Sequence, residues 1–282
     1  MCDEFHVPDI TARKNADLPH APDYTLPQPY DRYTEVDQQT WGTLYARQIA
    51  LLPQRACAEF LDGLQALQLS PDRIPTFVDL NERLAATTGW ALVAVHGLIP
   101  DEVFFEHLSQ RRFPVTWWLR EPQQLDYLQE PDLFHDLFGH VPLLTNPVFA
   151  DYLQAYGQGG VKAAHLHALP MLARLYWYTV EFGLIRTPQG LRIFGAGILS
   201  SRTESVACLD SPAPQRLPFD LQRIMRTQYN IDRFQDTYFV IDSFDQLFAA
   251  TAPDFTPYYA QWGGLPEFGA AERALDQENA HG

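Results

Sequence analysis

Three side chains stand out by type and setting. His135 and His140 lie five residues apart in FHDLFGHVPLL (134–144), among Phe, Leu, Val and Pro, with Asp136 between them. Glu181 is the one carboxylate of LPMLARLYWYTVEFGLI (169–185). Burying a polar group without a partner costs roughly 2–7 kcal/mol, so each needs something to hold. Two imidazoles and a carboxylate form the facial triad of non-haem Fe(II) oxygenases, which leaves coordination positions open for water, dioxygen and substrate. Zinc held by His, His and Glu is the competing metal reading, with Asp136 as general base. Two bland readings need no metal: separately satisfied histidines, and Glu181 paired with Arg174 two turns back.

The spacing sets a condition on the elements that carry these groups. A zinc-protease pair lies at i and i+4 with its Glu beside the first His. At five residues an unbroken α-helix would set the two rings about 140° apart. They converge only if the helix ends between them, and Gly139 with the following Pro142 reads as that ending. Pro131 reads as the opening of the same helix. Glu181 is expected in the body of an apolar helix over 169–184, one turn after Trp177 and on its face. Apolar periodicity predicts further helices over 36–69, broken in two by Pro53, and over 79–88, 101–110, 147–157, 218–227 and 243–250. ALVAV (91–95) and PVTWW (114–118) read as short strands, and IRTPQGLRIF as a tight hairpin. The fold class is therefore mainly α (α+β), helix-rich with a few short strands. Residues 1–33, Pro-rich and polar, read as an extended or partly disordered arm, 34–258 as a single domain holding the site, and 259–282 as a polar tail.

Bulk properties exclude several classes. The 282 residues carry a net charge of −15, and no basic cluster is denser than Gln110-Arg111-Arg112, which argues against a nucleic-acid partner. The N-terminus, MCDEFHVPDITARK, is neither a secretory signal nor a basic transit peptide. The apolar run around Trp90–Ile99 is too short to span a bilayer and is interrupted by His96 and Gly97. Cys2, Cys57 and Cys208 are too widely spaced for a disulfide framework or a CxxC site, so a reducing cytoplasm is the expected location.

The runs YLQEPDLFHDLFGHVPLL, LARLYWYTVEFGL and GAGILSSRTE resemble the catalytic domain of the pterin-dependent aromatic amino acid hydroxylases, most of all the compact bacterial phenylalanine-hydroxylating branch. The likeness extends from about Tyr33 to about Asp254. It implies that His135, His140 and Glu181 bind Fe(II), and that a tetrahydropterin such as tetrahydrobiopterin and dioxygen are consumed as L-phenylalanine becomes L-tyrosine. It implies that Arg120 clamps the substrate carboxylate, which suits a guanidinium fork. It implies that Trp177 and Pro131 hold the substrate ring, that Gly197 and Ser200 lie near the amino acid backbone, and that Glu204 reaches that site through hydrogen bonds. On the pterin side it implies Gly97, Leu98 and Ile99 at the pterin edge, Phe104 (or the adjacent Phe105) stacked on the ring, and Tyr176 beside the iron. Asp136 matches a pterin-side acid but is shorter than the Glu of animal relatives, and Leu128 stands where those carry Thr.

Ile231 falls where the tyrosine-hydroxylating branch carries an acid, and an apolar side chain suits a phenyl ring better than a phenol. Trp177 resembles the phenylalanine branch. Tryptophan hydroxylation, a zinc hydrolase and a non-catalytic module with a structural triad remain the alternatives. Without the regulatory domain and tetramerisation helix of animal relatives, a monomer is expected.

Overall fold

The computed structural model describes residues 10–126, 128, 130–231 and 233–273. Twelve α-helices are found among them: α1 (Ile10–Asn15), α2 (Glu35–Ile49), α3 (Ala58–Ala66), α4 (Phe77–Thr87), α5 (Asp101–Ser109), α6 (Pro147–His165), α7 (Leu169–Tyr176), α8 (Ala196–Leu199), α9 (Arg202–Asp210), α10 (Leu221–Arg226), α11 (Phe244–Thr251) and α12 (Thr256–Trp262). Seven short strands are β1 (Thr25–Leu26), β2 (Ala91–Val95), β3 (Arg112–Thr116), β4 (Leu184–Thr187), β5 (Gly190–Ile193), β6 (Gln215–Pro218) and β7 (Thr237–Ile241). Two π-helical turns, Phe134–His140 and Trp177–Glu181, complete the frame. The mainly α, α+β class expected from periodicity is the one observed.

Local chemistry accounts for the elements. α2 opens on a capping box between Thr34 and Asp37 and buries Trp41, Leu44, Tyr45 and Gln48, a stripe at helical spacing. Asn146 caps α6 by accepting from the Phe149 N–H. α6 runs to His165, past the expected stop at 157. Gly157 and Gly160 serve packing against α5: a Cβ at Gly160 would lie 1.9 Å from the Phe105 ring.

The sheets are small and lie either side of the π-helical turns in sequence. β1 runs antiparallel to β2, which runs parallel to β3. The second sheet has the order β5-β4-β7-β6, with the expected hairpin β4–β5 at one edge and parallel pairing of β4 with β7 and of β7 with β6. α1, β1, α8, α9, β6, β7 and α12 are absent from the sequence reading. β7, TYFVI, is buried at every position, so it shows no alternation to read.

Both ends of the described chain are wrapped onto the body. In the segment read as an arm, Thr25 and Leu26 pair with Val95 and Ala94, and the Tyr33 hydroxyl donates to the Trp117 carbonyl. In the segment read as a tail, Phe268 lies under the guanidinium groups of Arg223 and Arg226, its N–H donates to the Arg226 carbonyl, and its carbonyl accepts from the Gln228 N–H. No helix among the described residues is long and apolar enough to cross a membrane.

Candidate active site

The two histidines converge by a different route from the one their spacing suggests. The backbone does not end between them: Phe134–His140 is wound as a π-helix, and a 3-10 segment, Val141–Thr145, follows. In i→i+5 winding, residue i+5 stands one turn above residue i, so a separation of five brings His140 over His135. The expected stop at Gly139 is thus corrected. Gly139 sits inside the turn, and its lack of a side chain admits α8: a Cβ there would lie 2.9 Å from the Ala196 carbonyl oxygen. The opening residue is corrected as well. Pro131 lies outside the helix, and Asp132 caps it by accepting from the His135 N–H at 3.1 Å. Glu181 also closes a π-helical turn, continuous with α7, rather than sitting mid-helix.

Three ligand-type atoms meet. His135 Nε2 and His140 Nε2 are 3.2 Å apart, His140 Nε2 is 3.1 Å from Glu181 Oε1, and His135 Nε2 is 3.5 Å from Glu181 Oε2. Atoms about 2.1 Å from one ion lie about 3.0 Å apart at right angles and about 3.4 Å apart at the tetrahedral angle. The triangle therefore has the dimensions of a single metal site, and His135, His140 and Glu181 are the group of such residues found among those described.

The surroundings set the protonation this requires. The Ser200 hydroxyl donates to the Ala196 carbonyl at 2.8 Å, so at 3.0 Å from His135 Nδ1 it can only accept. That fixes the proton on Nδ1 and leaves the Nε2 lone pair facing the triangle. Burial holds His135 below its ordinary value against the pull of Glu181. Burial pushes Glu181 up, but His140 and His135 more than offset it and hold the carboxyl below its usual range. Arg174, the bland partner for Glu181, pairs instead with Glu267.

The remaining residues fall into three groups. Against the triad lie Gly197, where a Cβ would be 3.2 Å from Glu181 Oε2, and Tyr176, whose ring is 6.2 Å from that of His140. Phe104 is half-buried and meets Tyr176 edge to face at 5.8 Å, whereas Phe105 is buried against Tyr156. Of the adjacent pair, Phe104 is the one with ring surface to offer. Gly97 has a φ of +151°, and Leu98 beside it is 77% exposed, with Ile99 half-buried. Asp136 is buried and accepts from the Thr116 N–H at 2.7 Å; burial, only partly offset by the imidazoles, pushes its carboxyl up. One oxygen is thus committed to the backbone, which weakens its candidacy as the base of a zinc hydrolase.

Arg120 and Trp177 are held by partners of their own, and Pro131 directly precedes Asp132 in the chain. Arg120 is buried, and its partner is not Glu121 but Asp132, which receives Nε and Nη2 at 2.8 Å each. Asp132 also accepts from the Arg120 N–H, so it joins the guanidinium to the helix bearing His135. Trp177 stacks on Tyr229 at 4.3 Å and donates its indole N–H to Gln235 Oε1 at 2.8 Å. Glu204 does not touch the triad. It accepts from the Tyr238 hydroxyl and, at 3.4 Å, from the Gln235 N–H, and reaches Trp177 only through that glutamine. Sequence reasoning missed Asp132, Gln235 and Tyr229. Asp132 carried a signal, an Asp three residues ahead of a helical His, which is N-cap spacing. Gln235 carried none.

Comparison with known proteins agrees with this geometry. The model of the biopterin-dependent aromatic amino acid hydroxylase family matches residues 9–254. The phenylalanine-4-hydroxylase of Chromobacterium violaceum is 69% identical over 274 residues, 97% of this chain and 92% of that one. That of Ralstonia nicotianae is 69% identical over 251 residues, 89% of this chain and 80% of the other. Crystal structures of the Chromobacterium violaceum enzyme superpose closely. The form with iron(III) and 7,8-dihydrobiopterin gives a TM-score of 0.93 at 68% identity, covering 96% of this chain and 98% of that one. The form with iron and phenylalanine gives 0.92 at 67% identity, covering 95% and 98%.

Proposed function

Because this chain belongs to the biopterin-dependent aromatic amino acid hydroxylase family, we propose that its residues divide the work of a phenylalanine 4-monooxygenase as follows. The reaction takes L-phenylalanine to L-tyrosine with iron and tetrahydrobiopterin. One observation carries the assignment to this chain: the triangle of His135 Nε2, His140 Nε2 and a Glu181 oxygen, with edges of 3.1–3.5 Å.

His135, His140 and Glu181 are assigned to Fe(II), and three ligands from one side leave the other positions to exogenous groups. Bound together, ferrous iron and the tetrahydropterin supply the dioxygen-reducing chemistry that ring hydroxylation needs. The protein's own contribution is placement. Ser200 holds the His135 proton on Nδ1. Asp132 takes two guanidinium nitrogens of Arg120 and so aims the fork, leaving Nη1 for the substrate carboxylate. Trp177, held flat by Tyr229 and pinned by Gln235, forms with Pro131 and His135 a bracket for the phenyl ring. Gly197 and Ser200 line the amino acid backbone, and Glu204 steadies that wall through Gln235. The backbone of Gly97, Leu98 and Ile99 reads the pterin edge, Phe104 stacks on its face, and Tyr176 and Asp136 close the iron side. Fixing both organic reactants beside one ion is the proximity effect. Phe113, Tyr176 and the apolar turns around the triad keep bulk water away.

In this reading dioxygen is the oxygen donor, the protein works as a monomer, and its location is the cytoplasm. The net charge of −15 supports the first of the two cellular statements by self-repulsion, and the buried free thiols of Cys57 and Cys208 support the second. Sedimentation showing a stable tetramer would defeat the monomer.

Tyrosine formation is the test. Apo-protein is supplied with Fe(II), Zn(II) or no metal, with and without tetrahydropterin. Product should require Fe(II) and pterin together. His140→Ala should lose more than the roughly 100-fold that removal of an outer-shell partner costs, together with its bound iron. Tight zinc binding with no tyrosine would move the function to hydrolysis.

A further inference from the structure

The side chain of Asn15, the last residue of α1, joins two parts of the molecule that the functional reading gives to different ligands. Its Nδ2 donates to the His96 carbonyl at 2.7 Å, and its Oδ1 accepts from the Trp117 indole N–H at 2.7 Å. The amide orientation is therefore fixed at both ends. The His96 carbonyl also accepts from the Trp118 indole N–H at 2.8 Å, which fills its second lone pair. His96 leads directly into Gly97, Leu98 and Ile99. Trp117 and Trp118 are buried and lead directly into Arg120. The rest of α1 reinforces the bridge. The Thr11 methyl lies where a Cβ on Gly97 would be 3.4 Å away, the Thr11 hydroxyl donates to Glu130, and Arg13 pairs with Glu121 at 2.8 Å. Glu121 and Glu130 bound the loop between Arg120 and Pro131.

Elsewhere α1 is held by the Lys14–Asp37 pair at 3.1 Å and by Ile10 against the core, and neither contact reaches the 96–99 turn. The helix has six residues and buries none of them, so it adds almost no core. Through Asn15 it ties the turn at residues 96–99 to the strand exit at residues 117–120. Left alone, an exposed turn whose Leu98 is 77% exposed would sample many conformations, and each would have to be given up on binding a flat ligand.

We propose that Asn15 is a positioning residue for the pterin: through one side-chain amide it fixes the 96–99 turn against the Trp117–Arg120 segment, so that the pterin-side backbone is set before the ligand arrives. The role rests on the reading of Gly97–Ile99 as the pterin edge.

The experiment uses the iron-loaded full chain. Binding of 7,8-dihydrobiopterin, which cannot donate the reaction's electrons, is measured by calorimetry for wild type, Asn15→Ala, Asn15→Asp and Trp117→Phe, beside steady-state kinetics, melting temperature and amide exchange at residues 96–99. Asn15→Asp keeps the acceptor for Trp117 but turns an oxygen toward the His96 carbonyl, so it tests the pterin half of the bridge alone. Both Asn15 variants should bind dihydrobiopterin about 5- to 30-fold more weakly, with faster exchange at 96–99 and a matching rise in the pterin KM. Their kcat should stay within about twofold, since no reacting atom is touched. Trp117→Phe, which removes the indole N–H together with part of a buried ring, should change in the same direction, and its melting temperature separates the packing loss. Dihydrobiopterin affinity within twofold of wild type in both Asn15 variants would overturn the proposal. If neither variant melts cooperatively, the same criterion applied to Trp117→Phe decides it. Wild-type protein that neither binds dihydrobiopterin nor makes tyrosine would instead overturn the functional reading, and the role of Asn15 with it.

Discussion

Asp132 shows what a single buried carboxylate can organise. It is fully buried and accepts four hydrogen bonds, three from Arg120 and one from the His135 N–H. Removing one partner of such a pair strands the other charge, at about 3–5 kcal/mol. Asp132→Ala should show that loss in denaturant unfolding and raise the phenylalanine KM more than the pterin KM. Burial pushes Asp132 up, but the Arg120 charge more than offsets it and holds the carboxyl below its ordinary 3.8. A depressed acid stabilises above its unfolded value and loses that contribution as pH falls through the folded one. The ionic share due to Asp132 should therefore be intact above pH 3.8 and shrink progressively as pH falls from there through the lower folded value, which a narrowing gap between the unfolding curves of wild type and Asp132→Ala in acid would show. At this scale the meeting of His135, His140 and Glu181 was legible, because all three are costly in apolar surroundings. Gln235 was not, because its partner Trp177 lies 58 residues away and no local pattern records such a pair.

Elements were legible where one face repeats. The buried stripe of α2 and the hairpin β4–β5 follow from period and turn residues alone. The π-helical turns do not, because i→i+5 winding has no residue signature of its own; only a buried pair at a spacing of five hints at it. The hint was read as a helix end because glycine and proline usually mark one, whereas Gly139 is there to let Ala196 approach. Gly139→Ala should therefore cost about 1–3 kcal/mol of stability through overpacking. By moving α8 it should also disturb Ser200 and weaken iron retention, which metal analysis after gel filtration would report.

Across the whole molecule the candidate site is a convergence of distant segments, with His135, His140 and Glu181 from two π-helical turns, Asn15 from α1 and Arg120 from the segment after β3. An ion bound only by the folded form stabilises by about 2.7 kcal/mol at 100 times its dissociation constant. Removing iron with a chelator should lower the melting temperature by about 5 °C or more. Protons compete for the same atoms, and both His135 and Glu181 are held below their ordinary values of 6.5 and 4.5. Proton competition at His135 should thus set in only below pH 6.5, and the iron-dependent increment should shrink as pH falls further. Composition and charge gave the class of molecule. They could not give the wrapping of residues 10–33 and 263–273, because docking of Pro-rich and polar segments is decided by the surface that receives them.

The π-helical turn at Phe134–His140 takes in one residue more than regular α-helical bonding would use. Deleting one residue from 136–139 would remove that excess. The shortened helix could recover regular bonding and would carry the His spacing of a zinc protease, but everything after the deletion would shift by one residue against Glu181 and α8. Such a variant should fold with a sounder helix and retain less iron, because the wide turn trades local regularity for the meeting of three side chains.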